Sequence, residues 1–339
     1  MSLLVLPCLV ISQSGLYTPN NWPAGGIFGA SIYPVHPHST NPYLRNISGC
    51  MQYFNPILDL AAEVLNTVRI VNFLDRPSVD DALLDNLDAL VSTARHHNLS
   101  VVLDLSTFRN KLLEAGVMPY NATLWRDFLA TMGSRYSSAT NLLVWSLAGE
   151  PHPPKGQNDP LRPTTKQLTD FYAEASAMLR AADPNQDHLI STGGLTHIDY
   201  DAGIDWKAIL SLPHIQLASI HAYDTARNGT GRNGMLEMMP KVAAFANSMG
   251  KPFVLEEFGF DQIAFRDTNF DPTLANSYER IFSAASSVKA DGVLWWNLDQ
   301  CNVAPYGHCH NRTAHQGSFA VNPNLPVTWN QLRRNQKGS

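Results

Sequence analysis

Residues 142–151 of this chain read LLVWSLAGEP, a short apolar run that ends in a carboxylate, Glu150. A run of this length without alternation is typical of a strand that is buried in a parallel sheet. Residues 252–259 read PFVLEEFG, which is again a short apolar run followed by carboxylates, here Glu256 and Glu257. Polar residues that end apolar runs are expected at the carboxyl edge of a parallel sheet, where α/β barrels carry their reacting groups.

Outward from these two runs, short β-branched segments alternate with longer segments of helical period, which indicates repeated β/α units around a parallel sheet. We predict eight strands, at Gly26–Tyr33, Thr67–Asn72, Ser100–Leu105, Asn141–Leu147, His188–Thr192, Leu217–Ala222, Phe253–Glu257 and Gly292–Asn297. The fold class is therefore α/β, and residues 1–339 are predicted to form a single (β/α)8 barrel domain. An N-terminal segment, about residues 1–25, is expected to close the bottom of the barrel.

Two helix starts carry their own signals. Ser78 can cap a helix whose first turn holds Asp80 and Asp81, acidic residues that are favourable at the positive helix end. Thr164 likewise precedes a helix. The first of these helices should pack one face on the sheet, since its apolar residues follow helical spacing: Leu83, Leu87, Leu90 and Ala94.

The composition suits one barrel and argues against two classes of partner. The 339 residues are 44% hydrophobic and 16% charged, with a net charge of −5. No basic stripe is present to neutralise phosphates, so nucleic acid is not an expected partner. No apolar stretch approaches the roughly 18 to 20 residues that are needed to cross a bilayer. We expect a soluble monomer that does not bind membranes.

Four cysteines bear on the compartment, namely Cys8, Cys50, Cys301 and Cys309. Their even number, and the short loop that a Cys301–Cys309 disulfide could close, favour a secreted, extracellular protein. The alternative is four buried or free thiols in a cytosolic protein. The apolar segment Leu3–Ile11 has no Lys or Arg before it, and we interpret it as a strand or plug of the barrel rather than an intact signal peptide.

The fourth and seventh strands face each other across the mouth of such a barrel, so Glu150 and Glu257 are predicted to meet there. Two carboxyl groups about 5 to 5.5 Å apart, one protonated and one ionised, can cleave a glycosidic bond with retention of configuration. Arg69 on the second strand can supply a cation to the ionised group. Tyr223, at the end of the sixth strand, can supply a hydroxyl.

At these residues the chain resembles the clan A glycoside hydrolases, most closely glycoside hydrolase family 5 with its mannanases and mannosidases. In that family the fourth strand ends in Asn-Glu-Pro, the sixth in His-x-Tyr, the seventh in Glu-Phe-Gly and the eighth in Trp, and the second carries an Arg. The matching positions cover nearly the whole barrel: Glu150 with Pro151, His221 and Tyr223, Glu257 with Phe258 and Gly259, Trp296, and Arg69.

The resemblance implies that Glu150 is the general acid/base and Glu257 the nucleophile of a retaining β-glycosidase that needs no metal and no cofactor. It also implies supporting or substrate-binding roles for Arg69, His221, Tyr223 and Trp296. An indole such as that of Trp296 offers an apolar floor for a sugar ring, and the neighbouring Asn297 can reach sugar hydroxyls. The expected partner is an oligo- or polysaccharide.

Two positions depart from the family pattern. Ser106 stands where many members have a third-strand His, and Gly149 stands where the family usually has an Asn that contacts the sugar 2-hydroxyl. An enzyme without that Asn should depend less on an equatorial 2-hydroxyl, which favours β-mannoside or mannan over β-glucan as the substrate. His197 or Asn297 could then meet the axial 2-hydroxyl of mannose.

Some alternatives have to be weighed. Glu256 is the rival nucleophile, but neighbouring strand residues face opposite ways, so we prefer Glu257 and assign Glu256 to the support of a nearby loop. A metal-dependent amidohydrolase is suggested by imidazoles and a carboxylate that follow predicted strands: His36, His38, His197, His221 and Asp299. That alternative leaves Arg69, Glu257 and Trp296 without roles. A silent barrel that only binds carbohydrate is the remaining alternative.

Overall fold

A computed structural model describes residues 19–32, 47–151, 160–196, 204–223, 234–260, 270–298, 321, 323 and 325–338. The strands are β1 (Ile27–Ile32), β2 (Thr67–Ile70), β3 (Ser100–Asp104), β4 (Leu142–Ser146), β5 (Leu189–Ser191), β6 (Ala218–Ala222), β7 (Phe253–Phe258) and β8 (Gly292–Trp295). The helices in these ranges are α1 (Ile47–Val64), α2 (Asp81–His96), α3 (Ser106–Glu114), α4 (Ala122–Tyr136), α5 (Thr165–Ala182), α6 (Trp206–Leu210), α7 (Gly234–Ser248), α8 (Phe270–Ser287) and α9 (Pro326–Gly338).

The eight strands form one parallel sheet in the order β5-β4-β3-β2-β1-β8-β7-β6. Its two outer strands meet through parallel bridges, Ser191 to Leu217 and Leu195 to Ile220. Strand alternates with helix along the chain, so the sheet closes on itself inside a ring of helices. The prediction of a (β/α)8 barrel is confirmed.

Each predicted strand is present, but most end earlier than predicted. The second was predicted to reach Asn72 and ends at Ile70, and the eighth was predicted to reach Asn297 and ends at Trp295. Residues past these points leave the ladder: Asn72 adopts a left-handed backbone conformation, with φ of 49°. The apolar sequence pattern extends to the last side chain that faces the barrel interior. The strand itself ends at the last residue that is hydrogen-bonded to a neighbouring strand.

The helix starts follow the local signals, with one correction. Asp80, not Ser78, caps α2, because its side chain accepts a hydrogen bond from the Leu83 amide at 3.0 Å. Thr164 caps α5 as predicted and forms a reciprocal capping box with Gln167.

Two apolar layers build the core. Inside the barrel lies a small cluster formed by Ile27, Val102, Leu143, Val144, Leu189, Leu217, Val254 and Leu294. The larger layer lies between strands and helices and contains Trp295, which packs edge-on against Phe28, and Trp145, whose indole donates to Asp183 at 2.7 Å. Both indoles are fully buried, so they belong to the core.

Several expectations concern residues outside the described ranges. These are residues 1–18 with Leu3–Ile11 and Cys8, the residues His36, His38, His197 and Asp299, and the pair Cys301 and Cys309. Within the described part of the predicted N-terminal segment, the Asn21 amide donates to the carbonyls of Thr140 and Leu142 at the start of β4. No described helix combines the length and the apolar character that a membrane span requires.

Candidate active site

A β-bulge near the end of β7 determines which side chains face the barrel interior. Ile220 on β6 pairs with Leu255, but the next residue, His221, pairs with Glu257, so Glu256 is an extra residue in the ladder. The bulge turns both glutamates inward, since each contacts Arg69. It also returns Phe258 to the outer layer, against Tyr278 and Phe282.

Arg69 on β2 is the centre of a buried group of carboxylates. Its Nη2 lies 2.8 Å from Asp104 at the end of β3, its Nη1 lies 3.0 Å from Glu257, and its Nε lies 3.5 Å from Glu256. Burial lowers the pKa of Arg69, but the surrounding carboxylates outweigh it and raise that pKa above its ordinary value. The guanidinium is therefore a permanent cation at the base of the cleft.

Glu257 is a buried carboxylate with three donors. Its Oε1 accepts from the Tyr223 hydroxyl at 2.5 Å, and its Oε2 lies 3.0 Å from Arg69 Nη1 and 2.9 Å from His221 Nδ1. Burial raises the pKa of Glu257, yet the charges of His221 and Arg69 prevail and lower it below the usual range. The group is therefore ionised at neutral pH.

Glu150 follows β4 and is oriented through its backbone. It adopts a left-handed conformation with φ of 50°, which costs a non-glycine residue about 1 to 2 kcal/mol. Its amide donates to the Gly194 carbonyl at 2.9 Å, and its own carbonyl accepts from Arg109 Nη1 at 2.8 Å. The side chain is 42% exposed, so its carboxyl group is open to the cleft.

His221 on β6 links the two predicted catalytic carboxylates. Its Nδ1 lies 3.0 Å from Glu150 Oε1 and 2.9 Å from Glu257 Oε2, and each of the three residues has a ligand atom within 4.8 Å of those of the other two. Burial lowers the pKa of His221, but the two carboxylates more than offset this and raise it to about 9. These three groups have the geometry to hold a metal ion, but a cation would have to displace the proton on Nδ1.

This pair of carboxylates lies in a stretch with a known family signature. Residues 45–302 match the family model described as Cellulase (glycosyl hydrolase family 5). The chain belongs to glycosyl hydrolase family 5. The predicted resemblance is thus confirmed, and the amidohydrolase alternative is wrong.

Family 5 relatives with sequence similarity include two mannan endo-1,4-β-mannosidases. The chain is 26% identical over 310 residues to number 8 of Oryza sativa subsp. japonica, covering 75% of this chain and 79% of that protein. It is 22% identical over 230 residues to the probable mannan endo-1,4-β-mannosidase A of Aspergillus niger, covering 63% of this chain and 57% of that protein. A solved endo-1,4-β-D-mannanase of Thermotoga petrophila has the same fold, with a TM-score of 0.70, 15% identity, and 92% of this chain and 99% of that chain covered.

Gly149, where this family 5 chain lacks the expected Asn, has no room for any side chain. A Cβ atom there would lie 2.0 Å from the carbonyl oxygen of Gly193, which follows β5. Gly193 and Gly194 have φ of 89° and 91°, and a Cβ on Gly194 would lie 2.0 Å from His221 Nε2. The ends of β4 and β5 are thus in backbone contact, and the His221 ring packs directly on them.

Trp296 and Asn297 follow β8, next to the end of β7. The Trp296 amide donates to the Phe258 carbonyl at 2.6 Å, and the residue is half-buried. Asn297 is only 3% exposed, and its carbonyl accepts from the Val321 amide at 3.0 Å. Trp296 therefore keeps exposed surface at the mouth, whereas Asn297 lies mainly in the wall.

Sequence reasoning missed or misassigned three residues of this site. Asp104 ends the run VVLD and was open to the same strand-end argument as Glu150. Glu256 was assigned to the support of a nearby loop, but its side chain lies inside the barrel, where it accepts hydrogen bonds from the hydroxyls of Ser146 and Ser191. Arg109 gave no signal, because its contact with the Glu150 carbonyl joins residues 41 positions apart.

Proposed function

We propose that this protein is a retaining β-glycosidase in which Glu150 is the general acid/base and Glu257 the nucleophile. The observation that carries the proposal is the pair of carboxylates on either side of His221 Nδ1, with oxygens at 3.0 and 2.9 Å from it and with oxygens within 4.8 Å of each other. Retaining enzymes hold their carboxyl groups about 5 to 5.5 Å apart, and inverting enzymes about 6.5 to 9.5 Å apart. The spacing supports double displacement.

In the first step, a carboxylate oxygen of Glu257 attacks the anomeric carbon while Glu150 donates its proton to the departing glycosidic oxygen. The products are a glycosyl ester on Glu257 and a free alcohol. In the second step, Glu150 takes a proton from water, the water oxygen attacks the same carbon, and Glu257 leaves as a carboxylate.

The surrounding residues set the charge of Glu257. Arg69 and Tyr223 keep Glu257 ionised and oriented before attack, and they stabilise it again as a leaving group. Asp104 and Glu256 hold the guanidinium of Arg69 in place from its other sides. Trp296 supplies an apolar floor for the sugar at the anomeric position.

The substrate we propose is a β-linked hexoside, with β-mannoside or mannan ahead of β-glucan. The names of the relatives support mannan, and the closed space at Gly149 supports a site that reads the 2-hydroxyl without a side chain at that position. We propose further that the protein is extracellular and acts as a monomer on oligo- or polysaccharide.

The direct test is trapping of the covalent intermediate. An activated 2-deoxy-2-fluoro mannoside should inactivate the enzyme with a single label, because the fluorine slows both steps and the activated leaving group restores the rate of the first, so that the glycosyl ester accumulates. Peptide mapping should place the label on Glu257. A label on Glu256 would reverse the assignment on β7, and absence of labelling together with inversion of the product anomer would refute double displacement.

A further inference from the structure

Helix α3 connects the ends of β2 and β4 through a chain of side-chain hydrogen bonds. Arg109 Nη1 donates to the Glu150 carbonyl at 2.8 Å. Arg109 Nη2 and Nε donate to Asn110 Oδ1 at 2.8 and 3.2 Å. The Asn110 amide then donates to Asn72 Oδ1 at 3.1 Å.

Both ends of this chain lie at residues with an unusual backbone. Asn72 and Glu150 have φ of 49° and 50°. These values lie in the left-handed backbone region, which residues with a Cβ atom rarely adopt. Such conformations persist when surrounding contacts over-determine them. Glu150 is held on both sides of its α-carbon, by the Gly194 carbonyl at its amide and by Arg109 at its carbonyl.

Backbone restraint matters more for Glu150 than for Glu257. The Glu257 side chain is 8% exposed and is fixed by its own buried partners, whereas the Glu150 side chain is 42% exposed. A proton donor has to lie within hydrogen-bond reach of the departing oxygen, so rotation about the backbone at residue 150 would move the proton away from it.

We infer that Arg109 is a positioning residue for proton transfer, which acts on Glu150 through its backbone carbonyl and which Asn110 holds in place. The inference rests on the proposed function, since it assigns to Arg109 the orientation of the proposed acid/base. Arg109 contacts the peptide oxygen and not the carboxyl group, so its loss should change the direction of the side chain while leaving Glu257 unaffected.

Variants are compared on a series of aryl β-mannosides with leaving groups of increasing pKa. Good leaving groups need little protonation, so Arg109→Met should lose at most a few-fold in kcat/KM on a dinitrophenyl mannoside. On mannotetraose it should lose between about tenfold and a hundredfold, mainly in kcat. Arg109→Lys should recover part of the loss, because one ammonium donor can still reach the carbonyl.

Two further variants separate the possible outcomes. Arg135→Met removes a matched arginine of α4 that pairs with Asp85 and Asp88, and its dependence on the leaving group should equal that of the wild type. Asn110→Ala keeps Arg109 but removes its anchor, so it should show the same pattern to a smaller extent even where Arg109→Met folds poorly.

Equal losses on all leaving groups in both the Arg109 and Asn110 variants, or a rise in KM alone, would overturn the inference. Glu150→Ala is the reference for the proposed function itself. It should show the steepest dependence on the leaving group and recover turnover with azide. If Glu150→Ala shows neither, the proposed role of Glu150 fails, independently of Arg109.

Discussion

At the scale of single residues, His221 is the group whose charge determines how the two proposed catalytic carboxylates coexist. Two carboxylates this close would repel each other, and the proton on His221 Nδ1 lies between them. The same proton contributes to stability. Its pKa rises from 6.5 to about 9 in the fold, so that contribution is fully present below pH 6.5 and is lost as the pH rises through 9.

The prediction is that the free energy of unfolding of the wild type falls between pH 6.5 and 9 more steeply than that of His221→Asn. Urea unfolding at intervals over this range measures the difference. His214→Asn, which changes a partly exposed histidine before β6, is the matched control substitution. Parallel slopes for the wild type and His221→Asn would mean that His221 is not charged between the carboxylates. The opposite linkage of Glu257, whose pKa is lowered, acts only at acidic pH and is separable.

The sequence identified the residues of the site, but it did not in every case give the direction in which each side chain points. Arg69 and Glu257 lie on predicted strands and Glu150 follows one, and the strand-end argument predicted that all three lie at the same mouth of the barrel. The choice of Glu257 over Glu256 assumed regular alternation, which the bulge in β7 breaks. A bulge is a property of the pairing between β6 and β7, so one strand's own pattern does not contain it.

At the scale of elements, the contact between the ends of β4 and β5 is the feature that the sequence pattern left implicit. Gly149 was recognised as a departure and interpreted as a missing contact to the sugar. The structure adds that Gly193 and Gly194 close on the same place. Gly149 and Gly193 lie 44 positions apart, so their contact can be recognised only once β4 and β5 are known to be neighbours.

Gly149→Ala is therefore predicted to destabilise the protein by about 2 to 3 kcal/mol, since its Cβ would lie 2.0 Å from a backbone oxygen that has little room to move. Urea unfolding tests this. Gly250→Ala is the matched control: it has φ of 69° but open space, so it should cost only about 1 kcal/mol. If the two variants lose equal stability, the strand ends are not in close contact. Activity of Gly149→Ala should fall as well, because Glu150 is the next residue.

At the scale of the whole molecule, the carboxyl ends of the strands together form one cleft, and this cleft as a whole determines which substrate is preferred. We predict a higher kcat/KM for 4-nitrophenyl β-mannoside than for the β-glucoside, with β-1,4-linked manno- and cello-oligosaccharides as the natural pair. The two sugars differ only at the 2-hydroxyl, so each serves as the control for the other. A glucoside advantage of about tenfold, or about 1.4 kcal/mol in the transition state, would contradict the mannoside proposal and leave the carboxylate pair intact.

The closure of the barrel between β5 and β6 has a consequence for how the molecule opens. Among the described residues, that junction consists of two isolated bridges and a few backbone hydrogen bonds, one of which the His221 amide donates to the Leu195 carbonyl at 3.0 Å. Regions with few backbone bonds undergo local unfolding first, so amide protons here should exchange with solvent early. Gly194, which anchors the Glu150 amide, lies in the same junction. Warming would thus release the backbone of Glu150, the proposed proton donor, while most helices are still folded, and the enzyme would lose activity before it unfolds.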